Sequence, residues 1–297
     1  MTAIHHILCP VDFSDCSRHA LDSAVAIARH QQSRVTALYV IPPVPTVHAG
    51  IGLEAYVPYV YTATDVQEFQ TRLERFVADV DYPVTAVSVL AVTVDEILKR
   101  AAALPADLIV MGTHGRTGFD RLVLGSVAER VLAKANVPVL TIPGKAADVA
   151  PRADRLFRHV LCPIDFSPSS MAALTFAEWL TGHGAKLQVL HVVEQLPAWQ
   201  IVPLPATGAD DDPFVLIHAA HERLQRALPA ALRRTGKVEE LVTEGDAGDE
   251  ILKAAAAHGV DVIVMGAHAG RAGLLGFGST THDVLRGATC PVLSVKA

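Results

Sequence analysis

Charge is scarce in this chain: Asp, Glu, Lys and Arg make up 19% of 297 residues and leave a net charge of −6. A mildly acidic protein has no electrostatic reason to hold nucleic acid or an anionic membrane, so neither is expected as a partner. Cysteine is sparse too, and four in a chain this long do not make a disulfide framework. Cys9 and Cys162 sit at matching places inside apolar runs and read as small core residues. Long hydrophobic runs are missing. The longest stretch without a charged residue, 35–53, contains Pro42, Pro43, Pro45 and His48 and makes a poor membrane helix. The first ten residues hold two histidines and only a short apolar run, unlike a secretory leader, so a cytoplasmic protein is expected. A Gly-x4-Gly-Lys-Ser/Thr phosphate loop is also lacking.

What the chain does have is a hydrophobic content of 51%, enough for packed cores, and an internal repeat. Residues 7–14 read Ile-Leu-Cys-Pro-Val-Asp-Phe-Ser, and residues 160–167 read Val-Leu-Cys-Pro-Ile-Asp-Phe-Ser, an offset of 153. Asp95-Glu96-Ile97-Leu98-Lys99 recurs as Asp249-Glu250-Ile251-Leu252-Lys253, and the segment 107–112 recurs at 261–266, both offset by 154. Pro138-Val139-Leu140 recurs as Pro291-Val292-Leu293, again at 153. A period this long is a duplicated domain and not a solenoid unit. Residues 145–155 form the natural linker, which divides the chain into 1–144 and 156–297.

Within copy one, apolar strand-like runs at 4–12, 35–41, 84–91, 108–112 and 137–142 alternate with helical patterns at 15–30, 66–80, 94–103 and 127–135. Copy two repeats the order. Such alternation implies an α/β fold: two tandem doubly wound parallel five-stranded sheets, Rossmann-like, with helices on both faces. Ligands of such sheets lie outside the carboxyl ends of the strands, where the strand order reverses. The loops to examine therefore follow strand one (Pro10, Val11, Asp12), strand two (Val40) and strand four (Met111 onward).

The loop after strand four reads Gly112-Thr113-His114-Gly115-Arg116 and closes on Gly125-Ser126-Val127, the start of a helix. Glycines permit sharp turns and close approach of backbone to a ligand. A helix start offers free N–H groups and a positive dipole end, which suit phosphate. The pattern Gly112-x2-Gly115-x9-Gly125-Ser126 resembles the ATP-binding motif of the nucleotide-binding branch of the universal stress protein family. The resemblance covers nearly the whole chain, twice. It implies Asp12 beside the adenosine, Val40 meeting adenine through its backbone, and Gly112, Gly115, Gly125 and Ser126 along ribose and phosphates. It also implies ATP as cofactor, with Mg2+ or Mn2+ on the phosphates. It further implies pairing through the last strand: a pseudo-dimer of the two copies, with room for a homodimer of the whole chain. A stress-response regulator or nucleotide-state sensor follows from it. The competing reading is a slow ATPase or phosphotransferase in the same pocket, for which no poised base or nucleophile stands out near residues 112–126.

Simpler roles compete at single residues. Ser126-Val127-Ala128-Glu129 has the letters of a capping box, and Asp12 could cap the first helix or its turn. His114 and His268 match between copies and read as loop-shaping residues more than metal ligands. In copy two the equivalents are Asp165, Val192, Gly266, Gly270, Gly278 and Ser279. Ala269 stands where copy one has Gly115, and the step from Gly266 to Gly278 is 12 against 13 from Gly112 to Gly125. Ala resists a positive φ that Gly permits, and a shorter loop moves the N–H groups, so copy two is expected to bind ATP poorly. Three other patterns carry no chemistry. The stretch 50–55 has dinucleotide-fingerprint letters without a strand before it, Ser279, His282 and Asp283 are too close along one helix start to form a triad, and the acidic run 210–212 reads as a solvated loop end.

Overall fold

The computed structural model describes residues 4–43, 61–115, 124–144, 156–182, 184–194, 213–234, 237–267 and 278–297. Arg116, His268, Ala269, Gly270 and the linker 145–155 lie outside the described residues.

Copy one runs β1 (His6–Pro10), α1 (Asp15–Gln31), β2 (Arg34–Ile41), α2 (Ala63–Ala78), β3 (Val84–Leu90), α3 (Thr93–Ala103), β4 (Leu108–Gly112), α4 (Ser126–Lys134) and β5 (Val139–Ile142). Copy two runs β6 (His159–Pro163), α5 (Pro168–Gly182), β7 (Lys186–Val193), α6 (Pro213–Ala227), α7 (Ala230–Arg234), β8 (Val238–Glu244), α8 (Ala247–Ala257), β9 (Val262–Gly266), α9 (Ser279–Gly287) and β10 (Val292–Val295). The short α7 has no counterpart in copy one, a departure from the strict repeat. Helix α2 begins three residues before the start at 66 expected from its apolar spacing. Thr62 and Asp65 form a reciprocal capping box there, which fixes the start one turn ahead of the apolar face.

The alternation of side chains along each strand builds two cores. On β1, Ile7 and Cys9 enter one core and Leu8 the other; on β4, Val110 enters the first and Ile109 and Met111 the second. The first core is closed by Leu21 of α1, Leu73 of α2, Leu174 of α5 and Leu224 of α6. Ile97 of α3, Leu132 of α4, Ile251 of α8 and Leu285 of α9 close the second. Strands covered on both faces are mainly apolar, as β1, β4 and β9 are here. Cys9 and Cys162 are fully buried core thiols, and burial pushes both well above the usual thiol range.

The strand order is β3-β2-β1-β4-β5-β10-β9-β6-β7-β8. Each copy contributes five parallel strands in the doubly wound order, and the two halves are continuous, not separate sheets. The joint is antiparallel: Thr141 faces Val292, Leu140 faces Leu293 and Val139 faces Ser294. A short apolar last strand leaves an edge of unpaired backbone groups, which another such edge satisfies. Repeated aspartates fasten the other end of each copy. The Asp107 carboxylate accepts the N–H groups of His5 and His6 at 2.7 and 3.0 Å, and Asp261 accepts those of Arg158 and His159 at 2.7 and 2.9 Å. This explains why the aspartate recurs with its strand. Among the described residues no helix is long and apolar enough to cross a membrane.

Candidate functional site

Strand order reverses between β1 and β4, and the loops leaving those two strands diverge there. After Pro10 the Val11 N–H still donates to Leu38 O at 2.9 Å, so β1 holds its register to the edge of the loop. The chain then turns through Phe13, which adopts a left-handed φ of 65°. A bulky residue there costs about 1–3 kcal/mol. The ring is held by Tyr39 at 4.5 Å, Phe76 at 5.5 Å and the Arg72 guanidinium at 4.3 Å, contacts that offset the strain. The turn directs the Asp12 carboxylate back over the strand end, where Oδ1 accepts the Ser14 N–H at 3.0 Å and the Ser14 hydroxyl at 2.5 Å. Ser14, not Asp12, caps α1, accepting the Ser17 N–H at 3.2 Å.

From β4 the chain leaves through Gly112. Thr113 N–H donates to Ile142 O at 3.1 Å, and the Thr113 hydroxyl meets His114 Nδ1 at 2.8 Å. That contact occupies one ring nitrogen; His114 Nε2 is buried with no hydrogen-bond partner among the described residues. Gly125 N–H donates to Thr113 O at 2.8 Å and so folds the start of α4 back against the end of β4. The capping-box reading of Ser126 fails. Gly125 is the N-cap, no side chain among the described residues caps α4, and Ser126 is its exposed first residue. The letters Ser-x-x-Glu fit, but the extended backbone of the cap falls one residue earlier. Helix starts without a side-chain cap leave first-turn N–H groups for another acceptor.

These elements enclose a cavity of about 350 Å³. Pro10, Val11, Asp12, Val40, Met111, Gly112, His114, Gly115, Gly125, Ser126 and Val127 all line it, so one space gathers every described residue singled out in copy one. Sequence reasoning missed Ser17, Leu38, Tyr39, Pro42, Thr93, Ile97, Thr113 and Ala128. Thr93 and Ile97 could have been found, since the start of α3 lies at the same end of the sheet; Ser17 and Tyr39 carry no local signal. The cavity's size is that of an ordinary small-molecule site.

The glycines serve close approach, not left-handed turns: among described residues the positive-φ glycines are Gly184, Gly245 and Gly259. A Cβ on Gly112 would lie 2.7 Å from Cys16 Sγ, on Gly125 2.9 Å from Thr113 O, and on Gly115 2.7 Å from Asp12 Oδ2. The argument that Ala269 opposes a positive φ at the place of Gly115 is therefore corrected. What a methyl disturbs at Gly115 is the carboxylate of Asp12.

Copy two builds the same turn, with Phe166 at φ 64° and the Ser167 N–H donating to Asp165 Oδ1 at 3.0 Å. Asp165 is exposed, Val192 lies on β7, Gly266 ends β9, and Gly278 is the N-cap of α9 with Ser279 its first residue. The surroundings differ. Val92 at the N-cap of α3 becomes Asp246, whose carboxylate caps α8 through Asp249 N–H at 3.0 Å. Exposed Leu90 becomes Glu244. Ala128, which lines the copy-one cavity, becomes Thr281, whose hydroxyl donates to Gly266 O at 3.3 Å.

Fold and site define a duplicated doubly wound α/β protein with a crevice at the switch point of copy one. The sequence profile of the Universal stress protein family matches residues 3–143 and again 156–296. The chain belongs to that family, as a tandem two-domain member. A universal stress protein of Methanocaldococcus jannaschii is 35% identical over 138 residues, 46% of this chain and 80% of that protein. One from Mycolicibacterium smegmatis is 29% identical over 304 residues, covering 98% of this chain and 96% of its own. The crystal structure of a universal stress protein from Archaeoglobus fulgidus superposes with a TM-score of 0.68 at 21% identity, covering 98% of both chains, a likeness of fold.

Proposed function

We propose that copy one binds ATP in the switch-point cavity and that the protein acts as a nucleotide-state sensor in a stress response. The observation that carries this reading is a cavity of about 350 Å³ onto which α4 opens without a side-chain cap. Such a helix start directs N–H groups and the positive end of its dipole at an anion. Adenine lies between Val11, Val40 and Met111, and the Asp12 carboxylate takes ribose hydroxyls. The phosphates reach Gly115, Gly125, Ser126 and Val127, with Arg116 adding charge. The buried His114 Nε2, without a hydrogen-bond partner among the described residues, is a polar atom that a ligand would satisfy. Among the described residues no group of three His, Cys, Asp or Glu could hold a metal. Mg2+ or Mn2+ in this reading rides on phosphate oxygens.

The units 1–144 and 156–297 work as an intramolecular pseudo-dimer, and copy two is the structural or regulatory partner. Asp246 and Glu244 place carboxylates where copy one has Val92 and Leu90, and like charge disfavours phosphate there. Mass spectrometry of the small molecules released when the purified protein is denatured tests the ligand; calorimetry tests the stoichiometry. Expected are ATP in the extract and one site per chain of micromolar affinity or tighter, about 8 kcal/mol. No released nucleotide and no heat on titration overturn the ATP reading. A stoichiometry of two overturns the asymmetry.

A further inference from the structure

Among the described residues the ten-stranded sheet ends in two edges of different chemistry. β8 carries Glu239, Glu240 and Glu244 among seven residues. β3, Val84–Leu90, reads Val-Thr-Ala-Val-Ser-Val-Leu with no charge and no proline. A neutral apolar edge of this length is a template for strand pairing, and carboxylates are a common protection against it. β3 lacks that protection but has another. Ala91 N–H donates to Ile41 O at 3.1 Å, so the odd-numbered residues at this end of β3 face β2 and the even-numbered ones present their backbone outward. Two outward groups are taken by one side chain. Gln70 on α2 donates from Nε2 to Ala86 O at 3.1 Å and accepts the Ser88 N–H on Oε1 at 2.9 Å. The second Nε2 hydrogen goes to Glu74 Oε1 at 2.9 Å, one helical turn on, which fixes the amide's orientation. An amide that spans O of one residue and N–H of the next but one copies the bonding of a neighbouring strand.

We propose that Gln70 is a side-chain plug that keeps the β3 edge from pairing with β3 of a second copy of this chain. The second copy is the partner that fits. A twofold antiparallel pairing sets neutral β3 against neutral β3, and the two copies within the chain already join through antiparallel edges at β5 and β10. Pairing of β3 with the acidic β8 of another molecule would leave open ends and build filaments.

Full-length protein carrying Gln70→Ala is compared with wild type by hydrogen exchange at low concentration and by molar mass over a concentration series. The Ser88 amide is expected to exchange at least about tenfold faster in the variant, while β1 and β4 amides keep their protection and report an intact fold. The variant's mass is expected to double with concentration beyond that of wild type. Adding Ser88→Lys, a charge on the bare edge, returns the mass to the wild-type value. The proposal is overturned by an unchanged Ser88 amide, by a variant mass that tracks wild type throughout, by an open-ended series of masses, or by association that survives Ser88→Lys.

Discussion

Gly112, Gly115 and Gly266 look interchangeable as letters and differ in what crowds them. At Gly266 a Cβ would stand 2.5 Å from Ser170 N and 2.6 Å from the Ser169 carbonyl carbon, backbone atoms of the α5 start that cannot step aside. Gly266→Ala is expected to destabilise the protein by about 1–3 kcal/mol in urea melts. At Gly115 the near contact is the end of the Asp12 carboxylate, and the next atom is 3.8 Å away. Gly115→Ala is therefore expected to leave the melt unchanged. It should still weaken ATP binding about tenfold, or 1.4 kcal/mol, by displacing Asp12. A destabilised Gly115→Ala, or one that binds ATP as wild type does, contradicts this division. The spacing of these glycines was legible in the sequence. Which of them serves packing was not, because the crowding atoms of Gly112 and Gly266 belong to α1 and α5, helices distant in the chain.

At the scale of elements, the apolar periodicities were enough to place the strands and helices of copy one, and the family resemblance supplied the pairing of last strands. Helix starts were harder. Ser126 matched a capping pattern while Gly125 took the cap, since four letters do not report which residue has extended backbone. The contrast between the copies at α3 and α8 also went unread, although Val92 and Asp246 occupy equivalent positions in the repeat. An N-cap aspartate contributes about 1 kcal/mol to a helix whose cap was apolar. Val92→Asp is thus expected to raise the melting temperature slightly. It places a carboxylate beside Thr93 in the cavity wall, so ATP affinity should fall severalfold more than adenosine affinity. Val92→Ser, a neutral cap, should give the stability without the loss. Equal losses for ATP and adenosine in Val92→Asp would mean that shape, not charge, is being changed.

On the scale of the whole molecule, the joint is expected to couple the two domains into one cooperative body. Leu140 and Leu293 face each other across it, and the Thr141 hydroxyl donates to Val292 O at 3.1 Å. The first core is contiguous from Ile4 and Ile27 in copy one to Phe176 and Leu180 in copy two. Lys296, at the end of copy two, donates to Ala133 O at 2.6 Å, near the C-terminal end of α4. A cation is favoured at that end of a helix dipole, and burial holds the Lys296 ammonium below its usual pKa. The helix whose start is assigned to the phosphates is thus gripped at its other end by copy two. Wild type is expected to unfold in a single calorimetric transition with van't Hoff and calorimetric enthalpies equal. Because the transition is shared, ATP at 100 times its Kd should stabilise the entire chain by about 2.7 kcal/mol, although only copy one is proposed to hold it. Leu293→Asp puts an unpaired carboxylate into the joint, where burial of charge is costly, and should split the melt in two. ATP should then move only the transition belonging to copy one. Two transitions in the wild-type chain, with ATP shifting just one of them, would mean that the continuous sheet does not couple the copies.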